Sequence, residues 1–164
     1  MKTLYLVRHA KSSWDNPNLS DFARPLNSRG ERDAPEMGRR LAARGIRPDL
    51  MLTSPAVRTT LTCEAIAKAL LYPLHDIEKE KAIYHGDEET LLRVIHEVNE
   101  HVRHLMVFGH NPGITDFANA LTNGHIDNIP TCGVFACHFE VNHWSDAKLG
   151  EGKFLFYDFP KNKA

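Results

Sequence analysis

The stretch Met1-Lys2-Thr3-Leu4-Tyr5-Leu6-Val7-Arg8-His9 decides how the chain is read. Its apolar run, Leu4 to Val7, has the length and composition of a buried strand, and it leads straight into a guanidinium and an imidazole. Two later runs repeat the design. Leu50-Met51-Leu52-Thr53 is bounded by Pro48-Asp49 and by Ser54-Pro55, with Arg58 four residues after Ser54. Leu105-Met106-Val107-Phe108 is followed at once by Gly109-His110-Asn111-Pro112-Gly113.

Helical patterns separate these strands. Residues 28–44 place Met37, Leu41 and Ala42 on one face, with Ser28 as the expected cap, Pro35 near the first turns and Gly45 as the stop. Arg29, Arg32, Arg39, Arg40 and Arg44 alternate there with Glu31, Asp33 and Glu36, which predicts a solvated face. Ser54 and Pro55 read as cap and first position of a helix over 55–71, with Val57, Leu61, Ile66 and Leu70 toward the core. Arg58 falls in its first turn, and helical side chains lean toward the amino terminus, so Arg58 aims back at the strand end. Residues 73–82 hold at most a short edge strand. Asp87 caps a helix expected over 87–102, with Leu91, Leu92, Ile95, Val98 and Val102 at helical spacing. Asn111 and Pro112 open another helix, running to about Leu121. Residues 134–141 alternate, with Phe135, Cys137, Phe139 and Val141 on one face, and pair antiparallel with 153–159.

Strands alternating with helices predict an α/β fold, a three-layer sandwich whose central sheet is covered on both faces, in a single domain over 1–164. A chain of this length buries roughly 70% of its unfolded surface. Hydrophobic content of 42% and charged content of 25% are ordinary for a globular protein, and a net charge of −1 excludes nucleic-acid binding by bulk charge. No stretch is long enough to span a bilayer, and no long apolar run with a cleavage site opens the chain; the expected location is the cytoplasm, with no membrane partner. Cys63, Cys132 and Cys137 are odd in number and lack zinc or disulfide spacing, so they read as reduced, buried thiols. His96, His101 and His104 do not share one helical face and read as solvent-facing, as do His138 and His143 on their strand pair, rather than as metal ligands.

Ligands of open α/β sheets bind beyond the carboxyl ends of the parallel strands, where Arg8-His9, Ser54 with Arg58, and Gly109-His110 fall. Two of the three junctions also begin helices, whose free N–H groups favour anions. Guanidiniums fork phosphoryl oxygens; a neutral imidazole attacks phosphorus, and nearby arginines keep it neutral. One histidine then attacks while the other stabilises charge on the transferring group. No P-loop, no cysteine in an anion-cradling loop and no acid cluster for a metal pair competes with this reading. The turn-rich loop 10–27 leaves the strand beside His9; its Lys11, Ser12, Ser13 and Trp14 either rim the pocket or form a solvated loop with Trp14 pinned to the core.

The segments Leu6-Val7-Arg8-His9-Ala10, Ser54-Pro55-Ala56-Val57-Arg58-Thr59 and Gly109-His110-Asn111-Pro112 together resemble the histidine phosphatase superfamily, which has the phosphoglycerate-mutase-like fold. Arg8-His9-Ala10-Lys11-Ser12, Asp21 through Arg24-Pro25-Leu26 to Arg29-Gly30, Pro48-Asp49 and the short chain are most similar to its SixA-type phosphohistidine phosphatases. The resemblance implies a mostly parallel sheet of six strands, no metal and no cofactor. It implies His9 as the phosphorylated nucleophile, with Arg8, Arg58 and His110 completing the phosphate pocket and the backbone N–H of Asn111 adding a donor. The expected substrate is phosphohistidine in a protein; the alternatives are a small phosphorylated compound or phosphate recognition without turnover. Many members carry an acid that protonates the leaving oxygen. The matching part here, residues 82–87, offers only Tyr84, His85 and Asp87, and that lack suits a phosphoramidate, whose leaving nitrogen is protonated beforehand.

Overall fold

A computed structural model describes residues 1–162. Six strands form one sheet in the order β3-β2-β4-β1-β5-β6. Here β1 is Lys2–Arg8, β2 Leu50–Thr53, β3 Glu78–Lys79, β4 His104–Gly109, β5 Val134–Phe139 and β6 Lys153–Asp158. The first four in that order run parallel, and β5 and β6 run antiparallel to their neighbours. The fold is thus the expected α/β sandwich on a mostly parallel sheet, and β3 is the short edge strand allowed for 73–82.

The alternation along each strand supplies two cores, one on each face of the sheet. Leu4 and Leu6 of β1 join Leu52, Leu105, Val107, Phe135, Cys137 and Phe139 on one face. That face is covered by α3, Glu88–His96, and α4, Gly113–Thr122, through Leu91, Ile95, Phe117 and Leu121. Tyr5 and Val7 join Met51, Met106, Phe108, Val134 and Ala136 on the other, beneath α1, Ser28–Ala43, and α2, Val57–Ala69. Met37 and Leu41 of α1 and Ile66 of α2 are fully buried there, each contributing about 1.5–3 kcal/mol. At Gly38 the two helices approach so closely that a Cβ would stand 2.7 Å from that of Ala69. The three cysteines are free and buried, and burial pushes the Cys132 and Cys137 thiols up to about 12, which rules them out as thiolate nucleophiles. No helix among the described residues is long and apolar enough to cross a membrane.

Several local expectations are corrected. Helix α1 is capped by Asn27, whose side chain accepts from Gly30 N–H, and Ser28 is its first residue. Helix α2 starts at Val57 after Ala56, without a side-chain cap; its first N–H donates to the Phe22 carbonyl at 3.0 Å, and Ser54 faces the site instead. Leu61 is exposed because the buried face of α2 runs through Arg58, Thr59, Thr62, Cys63, Ile66 and Ala67. Helix α3 ends at His96, yet Val98 and Val102, beyond its last hydrogen-bonded turn, still pack against the core. Helix α4 starts at Gly113 with Pro112 at the cap position. His96 is half-buried with Nε2 bonded to the Ala147 carbonyl, His104 is half-buried in β4 near Tyr5, and His138 is half-buried in β5; none of the three is simply solvent-facing.

Candidate active site

Strand β1 lies between β4 and β5, and its hydrogen bonding continues past its last residue. His9 N–H donates to the Gly109 carbonyl, and Cys132 N–H reaches the carbonyls of both Arg8 and His9. The backbone carrying the two functional side chains is therefore fixed from both sides. Beyond it, loop 10–27 is held against α1 at Gly30, where any Cβ would collide with the Lys11 carbonyl.

The carboxyl ends of β1 and β4 bring His9 and His110 to a ring separation of 5.3 Å, and Arg8 and Arg58 act electrostatically on His9. The four residues singled out at three separate strand ends thus meet in one place. His9 Nδ1 lies 2.7 Å from the Ala10 carbonyl. A carbonyl only accepts, so Nδ1 carries the ring proton and Nε2 keeps its lone pair. Burial lowers the His9 pKa to about 4, with the charges of Arg58, Arg8 and Arg24 adding to it against the opposing Ala10 hydrogen bond. His9 is neutral at neutral pH.

His110 Nε2 sits 2.8 Å from Ser54 Oγ, which also accepts the Ala56 N–H. The other ring nitrogen of His110, Nδ1, is buried and without a hydrogen-bond partner among the described residues. Burial first, then the charges of His9 and Arg58, lower the His110 pKa to about 3.

Each arginine is gripped by its terminal nitrogens. Arg8 Nη1 donates to the Ile129 carbonyl at 3.0 Å. Arg58 Nη1 and Nη2 donate to the backbone carbonyl and to Oδ2 of Asp21, at 2.6 and 3.0 Å. Arg24, which is 7% exposed, donates to Ser12 Oγ at 2.9 Å and to Asp21 Oδ1 at 3.2 Å. The Nε atoms of all three are buried and unpartnered among the described residues. Buried donors without acceptors are rare because each forfeits its hydration, and three guanidiniums with such donors, all acting on His9 beside a second neutral imidazole, describe a place for an anion. No group of three or more His, Cys, Asp and Glu among the described residues is arranged to hold a metal.

The remaining predicted residues divide. Asn111 is half-buried, and its side chain is engaged by Asn128, Ile129 and Thr115, bracing the segment whose Ile129 carbonyl holds Arg8. Lys11 and Trp14 are exposed, Ser13 is half-buried, and Trp14 lies over the Arg24 guanidinium at 3.6 Å instead of reaching the core. Tyr84 stands at the mouth, edge-on to His110 at 5.4 Å, with its hydroxyl donating to Asp21 Oδ2 at 2.7 Å. His85 stacks on Tyr84, and Asp87 caps α3 by accepting from Thr90 N–H. His85 and Asp87 also line a small cavity of about 160 Å³ beside His110. Arg24 and Asp21 lie in an irregular loop, where no periodicity reports orientation; only the resemblance drew attention to that segment.

Residues 4–111 match the family model of the histidine phosphatase superfamily (branch 1). An uncharacterised chloroplastic protein of Arabidopsis thaliana is 30% identical over 154 residues, covering 89% of this chain and 70% of that protein. The crystal structure of an Agrobacterium tumefaciens protein assigned as a phosphohistidine phosphatase SixA is similar at a TM-score of 0.83 and 28% identity, over 97% of this chain and 98% of the other. A protein histidine phosphatase SixA complexed with tungstate shares the fold at a TM-score of 0.82 and 22% identity, over 96% and 97% of the two chains.

Proposed function

The chain belongs to the histidine phosphatase superfamily, and we propose that it is a phosphatase that transfers a phosphoryl group to His9 and then to water, with phosphohistidine in proteins as its substrate. The observation that carries this reading is the state of His9. Its Nδ1 proton is tied to the Ala10 carbonyl, which leaves Nε2 its lone pair, with Arg8, Arg24 and Arg58 acting on the ring and His110 5.3 Å from it.

In the first step His9 Nε2 attacks phosphorus, the phosphorus–nitrogen bond of the substrate breaks, and the electron pair leaves on the substrate imidazole, whose ring is already protonated. The arginine guanidiniums and His110 stabilise the equatorial oxygens as charge spreads over them. In the second step water attacks the phosphohistidine, releasing inorganic phosphate and restoring the imidazole of His9.

The acids at the site support a phosphoramidate over an alkyl ester. Burial pushes the Asp21 carboxyl up, but hydrogen bonds from Tyr84, Arg58 and Arg24 outweigh it and hold the group well below the usual carboxylate range. The Tyr84 proton is directed at Asp21, and Asp87 is occupied as a helix cap. The Tyr84 and Asp87 contacts therefore compete with service as a proton donor, which suits a leaving group that needs none. Agrobacterium SixA, the assigned phosphohistidine phosphatase, points the same way.

The test is incubation with a protein phosphorylated on histidine, rapid quenching, and recovery of an acid-labile phosphoenzyme. The wild-type chain should accumulate the label and release phosphate, and His9→Ala should do neither. Turnover retained by His9→Ala overturns the mechanism. Faster hydrolysis of alkyl phosphate esters than of phosphoramidates overturns the substrate class.

A further inference from the structure

Resting on that reading, we propose that Asp21 is a positioning residue that sets the angle between two of the phosphate-holding guanidiniums, with Tyr84 as the tie that holds Asp21 in place. Asp21 Oδ2 and its backbone carbonyl take the two terminal nitrogens of Arg58, and Oδ1 takes a terminal nitrogen of Arg24. Both guanidiniums are thereby gripped at their outer ends, which fixes the planes in which their remaining N–H groups lie beside His9. Without an acceptor at the outer end, a guanidinium on a three-carbon stem rotates, and its donor fork loses register with the anion.

Asp21 itself needs fixing, because it belongs to an irregular loop and its side chain is 46% exposed. Three contacts from outside its loop hold it and its neighbour. The Tyr84 hydroxyl donates to Oδ2, the Tyr84 ring packs edge-on against Phe22 at 5.3 Å, and the Phe22 carbonyl accepts the first N–H of α2. The loop that follows the nucleophile is in this way buckled to the helix carrying Arg58 and to the segment before α3. The carboxylate also adjusts the charge. Arg8, Arg24 and Arg58 with two neutral imidazoles and one carboxylate leave the site with two net positive charges, matched to a phosphoryl dianion.

Calorimetric titration of wild type, Asp21→Asn, Asp21→Glu and Tyr84→Phe with inorganic phosphate tests this without reference to any substrate, and kcat and KM with a small phosphoramidate complete it. Asp21→Asn should bind phosphate on the order of tenfold more weakly and lose kcat and kcat/KM together at an unchanged melting temperature, because misaligned arginines act in the transition state. Asp21→Glu should recover part of both. Tyr84→Phe should show a smaller loss in the same direction, and the double variant should be no worse than Asp21→Asn, since both act through one contact. Phosphate affinity and turnover unchanged in Asp21→Asn overturn the proposal. Tighter binding also overturns it, by making Asp21 an anion that competes with the ligand. Should Asp21→Asn fail to fold, an unchanged affinity in Tyr84→Phe overturns it alone. Wild type that binds phosphate but turns over no phosphoramidate counts against the proposed function and leaves the binding comparison intact.

Discussion

Two hollows in this molecule differ in position and in chemistry. The larger, about 480 Å³, runs along the β2/β3 edge of the sheet and is lined by Asp49, Glu78, Glu80 and Glu97 over Leu52 and Val98. The smaller, about 160 Å³, adjoins His110 at the carboxyl ends of the parallel strands. Volume favours the first. In it, however, Asp49 accepts the N–H groups of Arg103 and His104, Glu80 accepts that of Ala82, and the Tyr72 hydroxyl donates to the Asp76 carbonyl. Beyond the lining of the second hollow, which holds His110 but none of the arginines, the groups that act on His9 differ: the Nε atoms of Arg8, Arg24 and Arg58 are buried and unpartnered among the described residues. Asp49, Glu80 and Tyr72 are partnered from within and give no sign of a missing ligand. Buried guanidiniums with unpartnered N–H groups do, and they identify the chemistry of what is missing.

Substitutions can break this comparison. Arg58→Ala removes one preorganised charge donor from the transferring group and should lower kcat/KM by on the order of 10²-fold or more. Steady-state kinetics decide it, and a loss of only a few-fold would deny Arg58 its place. Next in size is an effect of pH. With His9 lowered to about 4 in the free enzyme, its imidazole stays neutral and nucleophilic down to that value. Once substrate ionisation is allowed for, kcat/KM should be flat from neutral pH down to about 4 and fall about tenfold per unit below it. An acid limb near 6.5, the ordinary value for histidine, would contradict the burial of the nucleophile.

The same shift has a sign for stability. Imidazoles of the unfolded chain take up protons near pH 6.5. In the native state His9 and His110 resist until about 4 and 3. The unfolded state then binds more protons between these values, so stability is complete above about 6.5 and declines as the pH falls toward 4. A melting temperature that rose on acidification through this window would contradict the shifts. The smallest effect belongs to the larger hollow. Glu78→Gln combined with Glu97→Gln should change kcat/KM by less than about twofold, because both carboxylates are exposed and screened, and the leading charges acting on His9 and His110 come from Arg58, Arg8, Arg24, His85 and Asp21 instead. A larger change would give that hollow a part in the reaction.

Much of this arrangement was legible from local pattern. Leu50–Thr53 appears as a strand over the residues expected, and β1 and β4 end where their apolar runs meet Arg8 and Gly109. The reading was weaker where side-chain spacing had to stand for backbone geometry. Val98 and Val102 keep helical spacing and pack on the core, yet they lie after the end of α3, because spacing reports which side chains are buried and not whether N–H groups still bond four residues back. On α2 the apolar positions included Leu61. The helix instead buries a polar edge at its start, where Thr62 Oγ1 accepts the Ala10 N–H and donates to the Arg58 carbonyl. That edge is polar because it faces the site.

By itself the sequence determined which strands exist, the burial of β1, β2 and β4 between helices, and the delivery of Arg8, His9, Arg58 and His110 to one end of the sheet. Each of these follows from short-range spacing and from the rule that ligands lie beyond parallel strand ends. Tertiary structure alone decided the rest. Asp21 reaches Arg58 across 37 residues and Tyr84 across 63, and the partner of His110 is Ser54, 56 residues away. The physical reason is that hydrogen-bond partners in an irregular loop are set by the path of the whole chain, which leaves no period in the sequence to read.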